Sequence, residues 1–590
     1  MQSYLAYKRF GRLARDQYER DQKRAAAMER GNMQNRAGHR QNSQGEAPGH
    51  RQSSIDVDSS STEVPSPSAS QDFCDPEKGE LPGKGNGEEN GNEKEDEEMG
   101  DGMERNATIS TIRTNQSFGT RMGHAMSGIE VRELSKEMTK RRSRASFQPN
   151  THSSSEKKPE RETVFVVGYE SEKDIMNPHN WSFATRVFAT VMIAAIGFIV
   201  GFASAIDSAA LKQASADFGV SDVTESLATG LFLIGFGLGS LYAGPISETV
   251  GRNPVYIVTM AIYMIWIMAS ALAPNIGAQL VFRFLAGFFG STPLTCAGGS
   301  LSDLWDPMER VLAFPVFANA AFMGPVIGPV VGGFIGQSSL VSWRWCEWIT
   351  LIISGAVLAL IILFQPETFA PVLLKWKASH LREITGDSRY VAEVEIRADP
   401  FWKRLLHALY RPFILVAREP IVVLFALYLT VVYIILFTFL EGYAYVFGET
   451  YGFSEGITGL AFLGIAVGLC CASLLVPLIY HWTKRDLEKI REEKGPNAHL
   501  PPEKRLWFAM FGAPAIPISL FWMGWTAYSS ISYWSALVAS VFFGFGILCI
   551  FISTYQYIID SYEMYAASAL AALSVIRYVA SGAMAEVAIP

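Results

Sequence analysis

The sequence predicts an all-α membrane protein, a helical bundle in two halves that follows a long polar tail. Of the 107 charged residues in the 590-residue chain, 57 lie within residues 1–180, so the other 410 positions are strongly apolar. Within these positions, apolar runs long enough to cross a hydrocarbon layer of about 30 Å as a helix recur eleven times. This distribution excludes a soluble multidomain enzyme. The net charge of −7, without a basic face, excludes a nucleic-acid binder.

Residues 1–180 are predicted to form a disordered tail. They are rich in Ser, Gly, Asn, Glu and Arg, and such a segment cannot bury enough apolar surface to offset the entropy lost on ordering. No apolar stretch of secretory-signal length occurs near the amino terminus, so the first span would serve as the targeting signal. The stretch RRSRAS resembles a phosphorylation site, with Ser143 and Ser146 as targets of a kinase. A solvated basic patch is the alternative interpretation.

The eleven predicted spans divide into six and five around one long loop. Residues 181–365 would form the first half, with six helices; residues 366–419 would form a central loop; and residues 420–590 would form the second half, with five helices. This order favours two repeats of a six-helix unit. The predicted bounds are 186–206, 226–246, 254–273, 278–299, 311–335, 345–365, 420–441, 457–480, 505–527, 534–558 and 565–587.

The distribution of Lys and Arg predicts the orientation of the bundle. The loops on the side of the tail carry many cations, whereas the opposite loops carry Lys212 and Arg344. Because cations favour the cytoplasmic side of a membrane, we expect a cytoplasmic amino terminus, with both long loops inside. The plasma membrane is the default location of this multi-pass protein, although the vacuolar membrane would give the same features.

Glycines form a stripe in the fifth predicted span, GPVIGPVVGGFIG. Gly324, Gly328 and Gly332 follow at intervals of four, which places them on one face of a helix. A face without side chains lets a neighbouring helix approach closely, and Pro325 and Pro329 remove backbone donors and bend the helix. The alternative is a plain tight-packing interface.

The turn after the second span, GPISETVGRNP, is very short. Gly244 and Gly251 would allow one helix to end and the next to begin within a few residues. Glu248 and Arg252 lie four residues apart and could pair with each other or with a neighbour such as Asp303. A solvated charge pair of little energetic value is the alternative.

Ionisable residues at membrane depth are costly and are therefore functional candidates. Arg283 lies within the fourth span, and Arg577 lies near the middle of the eleventh. The acids Asp207, Glu441 and Glu586 lie near span ends, where a side chain that reaches the membrane surface is an equally good explanation. Aromatic residues around Glu441 could hold a flat or cationic ligand, or could form an interfacial belt.

These stretches together resemble the major facilitator superfamily, and within it the fungal drug:proton antiporters with twelve spans. The turn from Gly244 to Asn253 resembles the superfamily's turn motif after helix 2. RFLAGFFGS resembles its arginine motif in helix 4, and GPVIGPVVGGFI the antiporter motif in helix 5. NPHNWS, WRW, PETFAPVLL and YIIDSYEMYAASALAA resemble stretches of fungal multidrug and polyamine exporters. The resemblance extends from about residue 177 to the end.

The resemblance implies a fold of the major facilitator type and a proton-coupled antiporter that exports small amphipathic or cationic compounds by alternating access. Arg283 would couple protonation to a central cavity, with Asp207, Glu441 or Glu586 as the proton acceptor. The helix 5 residues that would favour antiport are Gly324, Pro325, Gly328, Pro329, Gly332 and Gly333. The residues that would latch the inward face are Gly244, Glu248, Gly251, Arg252 and Asp303. Thr249 and Asn253 replace basic residues that the superfamily usually has in this turn.

The resemblance also implies a monomer in the lipid bilayer with a small-molecule substrate, driven by a proton gradient without a cofactor or metal. A polyamine or secondary-metabolite exporter is an alternative, and a transporter-like sensor that signals through the tail is an alternative of another class. An enzyme is not expected, because no nucleophile, base and orienting group converge in the sequence. Since the superfamily has twelve helices, we expect a product truncated before the last one.

Overall fold

The computed structural model describes residues 164–169, 174, 176–396, 401–496, 498–562 and 566–585, with a few of the first 23 residues. Residues 18–110 form a unit of their own, of which positions 19, 20 and 23 are described. Ser143, Ser146 and Glu586 lie outside the described residues, as does the side chain of Glu441. The roles predicted for these four residues stay predictions.

Eleven helical segments of the described chain are long and apolar enough to cross a membrane, which confirms the predicted all-α bundle. Side-chain caps fix several of their starts; Ser182, for example, accepts the amide of Thr185. Six segments form the first half: α1 (Phe183–Ala205) continued by α2 (Leu211–Phe218), α3 (Asp222–Val250), α4 (Arg252–Ala271), α5 (Ile276–Gly290) continued by α6 (Thr292–Leu304), α7 (Arg310–Gly336) and α8 (Trp345–Phe364).

The predicted central loop is largely structured, as is the end of the predicted disordered tail. Residues 366–419 contain α9 (Ala370–Thr385), β2 (Tyr390–Ala392), α10 (Glu393–Ile396) and α11 (Phe401–Arg418). Strand β1 (Phe165–Val167) lies within the tail and pairs with β2 in parallel. The prediction of disorder up to residue 180 is therefore wrong for this segment. Three residues are too few to show an alternating pattern, and their partner lies far along the chain.

The second half follows α11 and contains five membrane-spanning segments. In chain order they are α12 (Pro420–Tyr443) continued by a π-helical turn (Ala444–Thr450); α13 (Glu455–Ala461), α14 (Leu463–Ser473) and α15 (Val476–Lys494), which form one segment; α16 (Trp507–Thr526); α17 (Tyr533–Tyr562); and α18 (Ala566–Ala585). The outer faces of both halves carry exposed apolar side chains such as Ile352, Leu424 and Phe521. Such a surface fits lipid rather than water. The expectation of a missing twelfth helix stays a prediction.

Two helices of the first half, α3 and α7, make most of the contact with the second half. Helix α3 packs along α18, where Gly582 lies against the carbonyl of Gly230. Helix α7 packs against α13 and α14, and Asn319 donates hydrogen bonds to the Leu469 carbonyl at 3.1 Å and to the Ser473 hydroxyl at 2.8 Å. The two halves therefore meet along helices, with room for a cavity between them.

Candidate functional site

A buried charge cluster lies at the end of the first half that is opposite α9 and α11. The guanidinium of Arg283, on α5, is fully buried and lies 2.8 Å from the carboxylate of Asp207 and 3.5 Å from that of Glu347. It also donates a hydrogen bond of 3.0 Å to the carbonyl of Ala203 and lies over the ring of Phe232. The structure thus brings two of the predicted residues, Arg283 and Asp207, into direct contact.

Two further carboxyl groups of this cluster were missed by the sequence reasoning. Glu347 lies in the first turn of α8 and accepts a 2.7 Å hydrogen bond from Ser270. Glu225 lies in the first turn of α3 and accepts a 2.9 Å hydrogen bond from Gln279. An acid in the first turn of a helix is a common feature, because it complements the helix dipole, so neither residue is conspicuous in the sequence.

The cluster carries more acids than bases. One guanidinium neutralises one carboxylate, so three ionised carboxyl groups would leave two buried negative charges without compensation, at a high energetic cost. Glu225 and Glu347 each have one carboxylate oxygen without a hydrogen-bond partner among the described residues. The carboxyl groups of the cluster can therefore take up protons. The number of protons bound would determine which carboxylates remain charged and pair with Arg283.

The turn between α3 and α4 holds a second charge site. Arg252 forms a close ion pair with Asp303 at 3.2 Å and donates a 2.6 Å hydrogen bond to the Ser247 hydroxyl, whereas Glu248 interacts with it electrostatically without such a close pair in the described chain. Gly251 has a φ of 113°, and a Cβ there would lie 2.6 Å from a carboxylate oxygen of Glu367. Only glycine adopts this backbone conformation without strain. Gly244 was predicted to belong to the turn, but α3 continues through it to Val250, and Gly244 lies against α18 near Ala567.

Glu367, which follows α8 in the chain, holds this turn in place. Its carboxylate accepts the backbone amides of Arg252 and Asn253, at 2.9 and 3.1 Å, and those of Thr368 and Phe369. The side chain thus caps the first turn of α4, where unpaired amides favour an anion. Burial raises the pKa of the Glu367 carboxyl above its ordinary value, against the opposing effect of these hydrogen bonds. Asn253, which replaces a basic residue of the resembled motif, also donates to the carbonyl of Gln365.

A group of ion pairs joins the two halves at the end of the bundle that carries the turn between α3 and α4. Asp560, on α17, lies 3.1 Å from Arg310 of the first half and 2.6 Å from Arg505 of the second. Arg505 also donates to the carbonyl of Pro307 across the interface, at 2.8 Å. Separation of the halves at this end would break both contacts, so the group stabilises the arrangement in which this end is closed.

The glycine stripe of α7 lies against α1 and the turn that follows it. A Cβ at Gly324 would overlap the Phe198 carbonyl, one at Gly328 would lie 2.9 Å from the Phe202 carbonyl, and one at Gly332 would overlap the Ile206 carbonyl. Gly333 faces the other way, towards the carbonyl of Glu455 in the second half. Pro325 and Pro329 lie inside α7. Helix α7 is therefore packed against backbone on both sides, between α1 and the second half.

A narrow cavity of about 30 Å³ lies between the halves, beside this helix. Its wall is mostly apolar and aromatic, and the residues that form it are Gly197, Val200, Gly201, Ser204, Leu233, Phe236, Pro293, Leu294, Ala321, Phe322, Pro325, Tyr433, Leu436, Phe437 and Tyr578. A wall of this composition suits the apolar part of a small amphipathic ligand, and the cavity would have to widen to admit one. Fully buried Arg577 lies next to it, over the rings of Tyr433 and Tyr578.

A two-half bundle of membrane-spanning helices, with a cavity at the contact of the halves and buried charges beside it, is the architecture of a secondary membrane transporter. The sequence comparison gives the family: residues 193–585 match the sequence model of the Major Facilitator Superfamily. The chain belongs to the Major Facilitator Superfamily.

Fungal transporters are among its similar proteins. The MFS-type transporter kojT of Aspergillus oryzae is 57% identical over 428 residues, which are 72% of this chain and 76% of the relative. The citrinin biosynthesis cluster MFS transporter mrr1 of Monascus ruber is 36% identical over 423 residues, 71% of this chain and 83% of the relative. Among solved structures, the proton:xylose symporter XylE matches 68% of this chain and 88% of its own, with 15% identity and a TM-score of 0.47.

Proposed function

We propose that the protein is a proton-coupled antiporter that exports small amphipathic organic compounds by alternating access, from a cytoplasm that faces the tail. The observation that carries the proposal is the buried cluster of Arg283 with Asp207, Glu347 and Glu225. Protonation of one of its carboxyl groups would weaken the electrostatic attraction between that group and Arg283. Arg283 also donates a hydrogen bond to the carbonyl of Ala203 at the end of α1. Because α1 also lines the cavity and contacts α7, a proton would act on the helices around the substrate.

Among the alternatives, export of secondary metabolites is favoured over export of polyamines. A relative is named for the citrinin biosynthesis cluster, which supports a transporter of secondary metabolites. A location in the plasma membrane stays part of the proposal. A polyamine carries several positive charges and would need acidic side chains. The residues that form the cavity wall in the described chain are apolar or aromatic apart from one serine, and Arg577 adds a positive charge beside them.

Replacement of Glu347 by glutamine is expected to separate exchange from proton-driven export. The amide keeps the shape of the side chain and the hydrogen bond to Ser270 but cannot take up a proton. In a fungal host that lacks its own exporters, the wild-type protein should lower the accumulation of at least one compound in a panel of amphipathic drugs and metabolites, and a protonophore should abolish this effect. With that compound in proteoliposomes, Glu347→Gln should retain counterflow and lose accumulation driven by a pH gradient.

The matched control for this experiment is Glu383→Gln. Glu383 lies on α9 outside the spans with its side chain 75% exposed, so its replacement should leave gradient-driven accumulation unchanged. Gradient-driven accumulation by Glu347→Gln at the wild-type rate would exclude this carboxyl as a proton site. Wild-type export that persists in the presence of the protonophore would refute proton coupling as a whole.

Two deletions of the tail distinguish a transporter from a sensor that signals through the tail. Removal of residues 1–160 is expected to leave export unchanged, because the deletion keeps β1 and its pairing with β2. Removal of residues 1–175 also deletes β1 and Asp174, which lies 3.4 Å from the buried ammonium of Lys377, so it should lower the melting temperature of the purified protein. Loss of export on the shorter deletion, with an unchanged melting temperature, would favour the sensor.

A further inference from the structure

Arg577, near the middle of α18, has no carboxylate partner in the described part of the chain. Its side chain is fully buried, as is that of Arg283, but it forms none of the ion pairs found there. The burial of a guanidinium without a counter-charge is costly, and such groups in a membrane protein are usually retained for a function. The positive charge of Arg577 is therefore available to a ligand.

Hydrogen-bond donors of Arg577 are available as well. Its Nη2 donates to the Tyr555 hydroxyl at 2.7 Å and to the Ser574 hydroxyl at 3.3 Å, whereas Nε and Nη1 have no acceptor among the residues that the structure describes. The rings of Tyr433, Tyr578, Tyr555 and Phe551 surround the guanidinium, with centroids 4.5, 4.8, 5.3 and 5.6 Å from its central carbon. Aromatic faces attract the positive charge, but they do not accept the hydrogen bonds that N–H groups donate in the plane of the guanidinium. Within the described chain, the N–H groups on Nε and Nη1 therefore remain without acceptors.

The position of these donors connects them to the substrate path. Tyr433 and Tyr578, which stack on the guanidinium, also form part of the cavity wall between the halves. Tyr433 lies on α12 and Tyr578 on α18, and a change in the angle between these helices would move one ring relative to the other. Arg577 itself is not part of the wall but lies behind these two rings, so a group in the cavity would reach the guanidinium when the rings move apart.

We propose that Arg577, with Tyr433, Tyr555 and Tyr578, binds the anionic oxygen group of the transported compound, which is therefore a small aromatic or conjugated organic acid. A guanidinium edge with free N–H groups matches a carboxylate or enolate, and the surrounding rings accept the planar part of such a molecule. The proposal rests on the proposed function and names its substrate class. A cationic compound would be repelled at this position.

Ligand binding to the purified full-length protein tests the proposal without a gradient or flux. The probes are benzoate, cinnamate and 1-naphthoate, each compared with its neutral amide and with the corresponding amine at neutral pH, and the apparent Kd follows from the shift in melting temperature. At least one acid should bind more tightly than its amide and its amine. In Arg577→Gln the Kd of that acid should rise on the order of 30-fold, because the variant removes one partner of a buried charged contact. The Kd of the amide should stay unchanged.

The control variant is Arg382→Gln. Arg382 pairs with Glu395 outside the spans, so its replacement should leave the preference for acids intact. If Arg577→Gln does not fold, Arg577→Lys replaces it; the ammonium keeps the charge without the planar edge, and the acid Kd should rise by a smaller factor.

The proposal is overturned if no acid in the panel binds better than its amide and its amine, or if the Arg577 variants keep the acid preference of the wild type. Either result would leave proton-coupled export intact, since export is measured separately with a gradient. Conversely, a preference for acids that depends on Arg577 would stand even if the export experiments failed.

Discussion

Replacement of Arg283 by glutamine is expected to abolish proton-driven export and to destabilise the protein. The wild-type guanidinium lies between Asp207 and Glu347, and all three side chains are buried. Without the cation, both acids would have to stay protonated or remain as buried charges. Removal of one partner from a buried ion pair typically costs about 3–5 kcal/mol. The carboxyl groups would then no longer alternate between a paired and a protonated state, and a proton would have no effect on α1.

The measurement combines export by the exporter-deficient host with the melting temperature of the purified protein. Arg344→Gln is a matched control, because Arg344 pairs with Asp217 at the same end of the bundle but is partly exposed; exposed pairs contribute about 1 kcal/mol or less. The double variant Arg283→Gln with Asp207→Asn should regain part of the stability, since it leaves fewer unpaired charges, without regaining export. Normal gradient-driven export by Arg283→Gln would disprove the proposed role of the cluster.

The centre of this site could be predicted from the sequence, but its full composition could not. Arg283 is conspicuous because it is a cation inside an apolar run, where few positions tolerate a charge. Asp207 lies at a span end, where contact with the membrane surface was an equally good interpretation. Glu225 and Glu347 open helices as many acids do, and only the packing of α3, α5 and α8 brings them to the arginine.

The same limit explains the turn between α3 and α4. The sequence indicated a tight turn with Gly251 and Arg252, and it left Glu248 and Asp303 open as partners of the arginine. The choice of Asp303 depends on the position of α6 in three dimensions. Glu367 lies more than a hundred residues beyond the amides of α4 that it caps. A pattern among neighbouring residues cannot predict a contact between positions so far apart in the sequence. The order of the spans, by contrast, follows from local hydrophobicity alone and is confirmed.

Substitution of Gly324 by alanine should destabilise the protein, although alanine normally stabilises a helix. In a helix interior, Gly→Ala gains roughly 1 kcal/mol because alanine has the better helix propensity. At Gly324 the added Cβ would overlap the Phe198 carbonyl and lie 2.6 Å from the Phe202 amide nitrogen. Both atoms belong to the backbone of α1 and cannot turn aside as a side chain can. Forced separation of packed elements costs about 1–3 kcal/mol, occasionally more, so the net effect is a loss.

Gly355 provides the comparison that isolates this contact, because it lies inside a different helix, α8, with space around it. A Cβ there would lie 3.4 Å from the terminal carbon of Met264, which is an ordinary contact with the end of a flexible side chain. Gly355→Ala should therefore raise the melting temperature or leave it unchanged, whereas Gly324→Ala should lower both the melting temperature and the rate of export. The two variants share the same gain in helix propensity. A lower melting temperature in Gly324→Ala alone would therefore show that the loss comes from the close contact between α7 and α1. Equal shifts for the two would show that the stripe has no special role in this packing.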